Sequence, residues 1–325
     1  MKAASGIPGV APKLLLRAVL IGAASCVWSS VSGVVRFLAS TGFMNKKELN
    51  CRVISVGNLQ VGGAGKTPLV AQIANEAAEL GLRVCILIRG YKGSWESQGG
   101  VLFPGGPRAN AQETGDEAAL LQELCPKAYI GVGASRYAQY QRVVDSLGAV
   151  DLVVLDDGFQ NQQIKKDLEI LALTSAKPWQ VLFRDRLSAV SKAHLLIWTK
   201  GTEEPKTYGR PRVRVAFELP PVHGISVWLV TGVADEESVY LTALRAGYRI
   251  VQRLPFQDHA RYDREAVERI LADAQGDQCR VAITGKDWVK WRELGVLRSD
   301  VTVLEPNLIF EEGRELWSQG LWGEG

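Results

Sequence analysis

The sequence predicts an α/β protein with a doubly wound parallel sheet, a second and smaller α/β lobe, and an N-terminal membrane-associated helix. Three observations lead to this fold class. Short apolar segments alternate with amphipathic helical segments from residue 52 onward. A stretch rich in proline and charge, 206–224, divides this alternation into two parts. An uncharged run, Ala18–Val35, precedes both parts.

These divisions define four expected regions. The N-terminal membrane-associated helix occupies residues 1–45, and a larger α/β lobe follows in 46–205. The connection between the lobes spans 206–224, and the C-terminal α/β lobe spans 225–325. A chain of 325 residues is long enough to bury a core in each lobe.

The N-terminal run is flanked by Arg17 and Arg36 and reaches the lower limit for crossing a bilayer. Small or polar residues recur within it every three or four positions and therefore share one helical face. This stripe predicts a helix that lies in the membrane interface or packs the stripe against its own domain. A buried core helix of a soluble protein is the alternative. The residues of the stripe are Gly22, Ser25, Ser29, Ser32 and Arg36.

The larger lobe reads as alternating strands and helices. The spacing of Thr114 and Glu117 predicts a capping box at the beginning of the second helix. The composition of residues 94–112 predicts a loop or small hairpin. The expected helices are Pro68–Leu80, Glu117–Leu124 and Arg136–Leu147. The expected strands are Arg52–Val56, Arg83–Ile88, Ala128–Val132, Val150–Leu155, Leu168–Leu173 and His194–Thr199.

The smaller lobe repeats this alternation. Its expected helices are Glu236–Ala246 and Arg264–Ala274. Its expected strands are Ile225–Thr231, Tyr248–Arg253, Arg280–Thr284 and Val301–Leu304.

Charge and cysteine content narrow the function classes. The net charge of +3 is too small to indicate nucleic acid as a main partner. Residues 1–52 carry a net charge of +6, so the basic excess lies beside the most apolar segment. The 5 cysteines show no C-x-x-C spacing, which argues against a metal cluster or a disulfide framework and favours a reducing compartment.

A glycine-rich turn between the first strand and the first helix of the larger lobe carries the strongest functional signal. Backbone N–H groups of such a turn and of the helix that follows can face a phosphate. Lys66 can reach the β- and γ-phosphates, and the Thr67 hydroxyl can ligate Mg²⁺. The pattern predicts a P-loop, against the alternative of a plain strand-turn-helix connection. The expected nucleotide-binding residues are Gln60, Val61, Gly62, Gly63, Ala64, Gly65, Lys66 and Thr67.

Asp156 and Asp157 follow an apolar strand directly, at the edge where an open parallel sheet binds ligands. Together with the P-loop they predict carboxylate ligands for Mg²⁺. The alternative is a turn that only ends the strand. The Asn-Lys-x-Asp signature of guanine binding is absent, since Thr199–Thr202 lacks the acid, and ATP is therefore the expected nucleotide.

Two function classes fit these residues. The first is a small-molecule kinase. The second is a membrane-recruited, partition-type P-loop ATPase switch, whose members often have a lysine just before the paired glycines. Val61 occupies that position here, which favours the kinase.

Seven ordered motifs between about residues 50 and 290 resemble the tetraacyldisaccharide 4′-kinase family, the lipid A 4′-kinases. Each is weak alone, but their common order is specific. They are Val56-Gly57-Asn58 through Pro68, Arg89-Gly90-Tyr91, Gly115-Asp116-Glu117, Asp156-Asp157-Gly158-Phe159-Gln160, Arg184-Asp185 (similar to the family's Arg-Glu), Phe256-Gln257-Asp258-His259, and Thr284-Gly285-Lys286-Asp287.

The resemblance implies Mg²⁺-dependent transfer of the ATP γ-phosphoryl group to the 4′-hydroxyl of an acylated glucosamine disaccharide 1-phosphate. It also implies association with the membrane surface at the cytoplasmic face of the bacterial inner membrane, whereas protein partners stay unknown. By the same resemblance Asp116 is the expected catalytic base, assisted by His259. Without the family resemblance, Asp116 could equally be an acidic residue in the first helical turn that the helix dipole favours. His259 would then be interpreted as a solvated loop residue.

Basic and polar residues near these motifs complete the expected site. Lys66 is expected to offset charge on the transferred phosphoryl group. Arginines suit anionic groups of a lipid or nucleotide, although many are only surface charges. The expected substrate-binding residues are Arg89, Arg136, Gln160 and Arg184.

Overall fold

The computed structural model describes residues 12–41 and 46–323. The helices in this part of the chain are α1 (Pro12–Ser40), α2 (Lys66–Glu79), α3 (Trp95–Gln98), α4 (Ala111–Thr114), α5 (Asp116–Leu124), α6 (Arg136–Leu147), α7 (Glu236–Arg245), α8 (Arg264–Gly276), α9 (Gly285–Trp291) and α10 (Arg314–Trp322). The strands are β1 (Arg52–Asn58), β2 (Val84–Ile88), β3 (Gly100–Leu102), β4 (Tyr129–Val132), β5 (Leu152–Asp156), β6 (Leu168–Thr174), β7 (Leu195–Lys200), β8 (Arg212–Glu218), β9 (Ser226–Thr231), β10 (Arg249–Pro255), β11 (Arg280–Thr284), β12 (Val301–Leu304) and β13 (Asn307–Glu312).

Two sheets form the two lobes and confirm the predicted α/β class. The larger has the order β13-β8-β7-β6-β1-β5-β2-β4-β3, with parallel pairing throughout except at the two edges. The smaller has the order β10-β9-β11-β12 and is wholly parallel in the described residues. In the larger sheet β1 lies between β5 and β6, so the loops that follow these three strands meet at one edge.

Helices cover both faces of the larger sheet. Alternate residues of β1 point to opposite faces: Ile54 belongs to the core shared with α2 and α5, whereas Val53 packs with residues of α6. Both are at most 1% exposed. Parallel strands covered on both faces need the continuous apolar runs seen in the sequence.

The stretch 206–224, expected to connect the lobes, contains regular structure. It contains β8, which pairs in parallel with β7, and the chain returns later through β13, which pairs antiparallel with β8. Helix α10 then packs on the larger lobe, where the buried indole of Trp317 donates to Glu76. The larger lobe therefore includes residues from near the C-terminus, within the range expected to form the smaller one.

The expected capping box at Thr114 and Glu117 is also wrong. Thr114 ends α4, so its hydroxyl donates back to the carbonyl of Asn110 at 2.9 Å. Gly115, with φ 83°, caps α5 without a side-chain bond. The neighbouring stretch 94–112 holds the short helix α3 and the edge strand β3, which pairs with β4, so it is more ordered than the expected loop.

Helix α1 packs its small and polar stripe against the larger lobe. Ser25 and Ser29 are buried, whereas Val27 and Val31 are 68% and 60% exposed. The apolar segment Leu16–Leu38 is long and apolar enough to cross a membrane, yet only 11% of its most apolar window is buried within the protein. A buried core helix is therefore excluded, and an apolar face is left for another environment.

Candidate active site between the two lobes

The glycine-rich loop adopts the conformation that its sequence predicts. Gly62, Gly63 and Gly65 all have positive φ, at 72°, 62° and 71°. A Cβ at Gly65 would also overlap the ring of Phe217, so only glycine fits there. Helix α2 begins at Lys66, and its first backbone N–H groups lack intrahelical partners and can bind an anion.

Lys66 lies at the centre of this loop's polar contacts. Its ammonium donates to Oδ1 of Asn58 at 3.1 Å and lies 3.3 Å from Oδ1 of Asp157. Arg184 donates to both oxygens of Asp157 at 2.7 and 2.8 Å, and to Asn58 at 2.6 Å. Asp157 is therefore paired with two cations, which hold its pKa well below the usual range despite the opposing effect of burial.

Asp156 differs from its neighbour. It is 3% exposed, and its Oδ1 atom has no hydrogen-bond partner. Burial, the charge of Glu117 and that of Asp157 raise the pKa of Asp156 to about 7. A carboxylate oxygen left unpaired beside the phosphate loop fits a Mg²⁺ ligand, since a divalent cation would supply the missing partner. Thr67 is half-buried in the first turn of α2 and carries a hydroxyl of the kind that ligates Mg²⁺ in a phosphate loop.

Asp116 and His259 meet across the two lobes. Nδ1 of His259 lies 2.9 Å from Oδ2 of Asp116. The hydrogen bond to Asp116 raises the pKa of His259 above its ordinary value, although partial burial opposes this. Burial alone would raise the pKa of Asp116, but the bond to His259 and the charge of Lys286 outweigh it and lower that pKa. The ring of Tyr91 packs edge-on against the imidazole of His259, with 5.8 Å between the two ring centres.

A cavity of about 110 Å³ adjoins this pair. Lys92, Arg261 and Lys290 line it together with the acidic Asp116 and Glu293, so it offers cations that can pair with an anionic group of a ligand. Asp116 and His259 both form part of its wall. A bound group could therefore present a hydroxyl to the carboxylate.

The four expected substrate-binding residues are not equivalent. The amide of Gln160 donates to the side chain of Asp185 and to the backbone carbonyl of Asn58. The guanidinium of Arg184 donates to Asp157. Arg136 is 8% exposed and donates to carbonyls of its own loop. Arg89, with a side chain 60% exposed, pairs with Glu96 and is the most open of the four.

Sequence reasoning did not single out several residues that complete the site. Asn58 joins Lys66 to Arg184, and Lys286 pairs with Glu117 at 2.6 Å beside Asp116. Lys290 lies 4.0 Å from Oδ2 of Asp116. Asn58 and Lys286 belong to the ordered motifs, so the motif pattern contained their signal, whereas Lys290 lies outside every motif.

A phosphate loop and an unpaired buried carboxylate at the carboxyl ends of parallel strands, with an Asp-His pair that joins the two lobes, define a P-loop phosphotransferase. The family model for tetraacyldisaccharide-1-P 4′-kinase matches residues 17–319. The chain belongs to this family, and it is a kinase that uses ATP and Mg²⁺.

Curated relatives and a solved structure indicate the same family. The tetraacyldisaccharide 4′-kinase of Geobacter sulfurreducens is 32% identical over 83% of this chain and 84% of its own. That of Geobacter metallireducens is 33% identical over 77% of this chain and 81% of its own. The crystal structure of LpxK from Aquifex aeolicus in complex with ATP matches with a TM-score of 0.71 and 25% identity, over 93% of this chain and 97% of that one.

Proposed function

We propose that the site between the lobes transfers the γ-phosphoryl group of ATP to the 4′-hydroxyl of a tetraacylated glucosamine disaccharide 1-phosphate, a step in lipid A biosynthesis. Membership of the family supports the reaction. The observation that carries the assignment of the site is the hydrogen bond between Asp116 and His259 beside a basic cavity. The Asp116 carboxylate of this pair is the proton acceptor that a sugar hydroxyl needs.

Residues 60–67 bind the nucleotide in this proposal. Backbone N–H groups of the loop and of the first turn of α2 hold the phosphates, and Lys66 offsets charge on the transferred group. Contacts with Asn58 and Asp157 already hold the Lys66 ammonium at the phosphate loop, so little side-chain ordering is needed when ATP binds.

Thr67 and Asp156 are the residues that would hold Mg²⁺. When bound, the cation neutralises charge on the phosphate oxygens. Asp157 acts indirectly: its ion pairs with Arg184 and Lys66 hold both cations beside the phosphate loop. This proposal differs from the expectation that Asp157 is a Mg²⁺ ligand as well as Asp156.

Asp116 accepts the proton of the attacking hydroxyl. The Nδ1–H of His259 donates to Oδ2 and orients that carboxylate, so the proton of the hydroxyl is taken by the carboxylate and not by Nδ1. The nearby ammonium groups of Lys286 and Lys290 favour the ionised carboxylate and so keep it ready to accept. The proton thus leaves the substrate oxygen as the new oxygen–phosphorus bond forms and the bond between the γ-phosphorus and the β,γ-bridging oxygen breaks, with ADP as the leaving group.

Recognition of the acceptor is assigned to the basic cavity and to Arg89. Lys92, Arg261 and Lys290 line the cavity, and Arg89 lies in the exit loop of β2 with its side chain open to solvent. Arg136, Gln160 and Arg184 support the site from inside the protein, since each is held by internal hydrogen bonds.

Helix α1 holds the protein at the cytoplasmic face of the bacterial inner membrane in this proposal. An acylated disaccharide has a negligible concentration in water, because each exposed CH₂ costs about 0.8 kcal/mol. The stripe that includes Ser25 packs on the larger lobe while the opposite apolar face is exposed. That arrangement favours a helix lying flat or half-embedded in the membrane over one that spans it.

Incubation with labelled ATP and the disaccharide in mixed micelles tests the activity. Labelled lipid is expected, and Lys66→Ala is expected to abolish it. Lipid-independent ATP hydrolysis without labelled lipid would instead support the membrane-recruited ATPase switch.

A further inference from the structure

A short segment, residues 182–185, lies between the N-terminal helix and the phosphate loop; we call it the bridging segment. On one side it pairs through its backbone with the beginning of the phosphate loop. The N–H of Val61 donates to the carbonyl of Leu182 at 2.8 Å, and the N–H of Arg184 donates to that of Leu59 at 2.6 Å. A shift of this segment would therefore move the loop with it.

On its other side the bridging segment is held by α1. Oγ of Ser25 accepts from the N–H of Phe183 at 3.0 Å, and the guanidinium of Arg36 donates to Oδ1 of Asp185 at 2.7 Å. Eleven positions separate the two helix residues, which is about three turns, so both lie on the face that packs on the lobe. The Asp185 side chain is 2% exposed, and that of Arg36 is 12% exposed.

From Asp185 the contacts continue into the catalytic loops. Oδ2 of Asp185 accepts from the amide of Gln160 at 2.8 Å, and the same amide donates to the carbonyl of Asn58 at 3.0 Å. The Arg36 guanidinium also lies 4.3 Å from the centre of the Phe159 ring, two residues after Asp157. Arg36 therefore contacts the bridging segment, which carries Arg184, and the loop that carries Asp157, the partner of both Lys66 and Arg184.

We propose that Arg36 is a positioning residue for phosphoryl transfer, so that α1 completes the active site as well as attaching the protein to the membrane. The proposal rests on the site assignment made above. Its physical basis is the buried carboxylate of Asp185. Without Arg36 this carboxylate would lose its ion pair, and a turn of the adjacent Arg184 guanidinium toward Asp185 would take it away from Asp157 and Asn58.

The test compares Arg36→Gln, Arg36→Lys and a control, Arg17→Gln, in the full-length protein. Arg17 lies on the same helix and is exposed, so its variant loses the same charge toward the membrane without touching the bridging segment. Turnover is measured with detergent-dispersed disaccharide, where membrane attachment is not needed. Attachment is measured by flotation with phosphatidylethanolamine–phosphatidylglycerol vesicles.

Arg36→Gln is expected to lower kcat by about 10- to 100-fold with a small change in KM for ATP, since a displacement of about 1 Å can cost on the order of 100-fold. Flotation should equal that of Arg17→Gln, whose kcat should match the unmodified protein. Arg36→Lys, which keeps the charge, should recover part of the loss. If Arg36→Gln does not fold, an intermediate kcat for Arg36→Lys with normal flotation supports the proposal.

Two results would overturn it: a kcat within twofold of the unmodified protein for Arg36→Gln (or for Arg36→Lys, where the glutamine variant does not fold), or an equal loss for Arg17→Gln. Lys66→Ala separates this proposal from the site assignment on which it rests. Full activity of Lys66→Ala would refute the site itself, whereas an inactive Lys66→Ala with a fully active Arg36→Gln would refute only the role of Arg36.

Discussion

Nδ1 of His259 and Oδ2 of Asp116 are 2.9 Å apart although 143 positions separate the residues in the chain. Asp116 begins α5 in the larger lobe, and His259 lies in the loop between β10 and α8 of the smaller lobe. Their contact joins the two lobes at the wall of the basic cavity. Any motion that separates the lobes therefore also takes the proposed base apart from its partner.

Removal of either member of this pair should impair proton transfer. Asp116→Ala and His259→Ala are each expected to lower kcat by about 10²–10⁴-fold with little change in ATP affinity. Since the two act as a unit, the double variant should lose less than the product of the single losses. Steady-state kinetics at saturating substrate measures this, with His223→Ala, at an exposed position, as the control. Near-normal turnover in either single variant would remove that residue from the mechanism.

Protonation of His259 should depend on Asp116. The hydrogen bond raises the pKa of His259 above 6.5, so Asp116→Asn should lower the pKa measured by NMR titration. The stability that this raised pKa contributes is fully present below the unfolded pKa of about 6.5 and is lost as pH rises through the folded value. Asp116→Asn should therefore cost more free energy of unfolding at pH 6 than at pH 9. The unmodified protein is the control, and an unchanged His259 titration would contradict the effect of the hydrogen bond to Asp116.

The two adjacent aspartates should respond differently to substitution. Asp156→Asn removes the negative charge and one of the two oxygens of this side chain, and it should raise the Mg²⁺ concentration needed for half-maximal activity by at least about tenfold. Asp157→Asn frees Arg184 and Lys66 from their partner and should lower kcat with a smaller change in Mg²⁺ requirement. Magnesium titrations of activity compare the two. Equal shifts in Mg²⁺ requirement would show that both aspartates are ligands.

The exposed face of α1 should carry membrane binding. Val27, Val31 and Val34 are 68%, 60% and 59% exposed and follow one another at helical spacing. Changing all three to Gln should abolish vesicle flotation, because burial of each valine contributes roughly 1.5 kcal/mol or more. Folding should be retained, since none of them packs on the lobe.

A matched control places Gln at Leu241 and Leu244, which are exposed on α7 of the smaller lobe. This variant should float as the unmodified protein does. Undiminished flotation of the α1 variant would place the membrane-binding surface elsewhere on the protein. Deletion of residues 1–40 would be a less specific experiment, because it also removes the contact between Arg36 and Asp185.

The sequence by itself determined the elements whose signals are local. The glycine-rich turn between a β-branched strand and a helix fixes a phosphate loop, because its glycines must adopt positive φ and Lys66 must begin the helix. The periodicity of α1 likewise identified its small and polar stripe, since helical spacing is a property of neighbouring residues, whereas the structure showed that this stripe packs on the lobe. The order of the family motifs identified Asp116 and His259 as partners.

Only the tertiary structure decided which charges meet. Asp156 and Asp157 are adjacent and identical in type, yet one is left with an unpaired oxygen while Arg184, 27 positions away, neutralises the other. The expected connection at 206–224 became strand β8 because β13 returns to pair with it from the far end of the chain. Strand pairing and charge pairing depend on residues that are distant in sequence. A local sequence pattern therefore does not predict which of these residues come within hydrogen-bonding distance of each other.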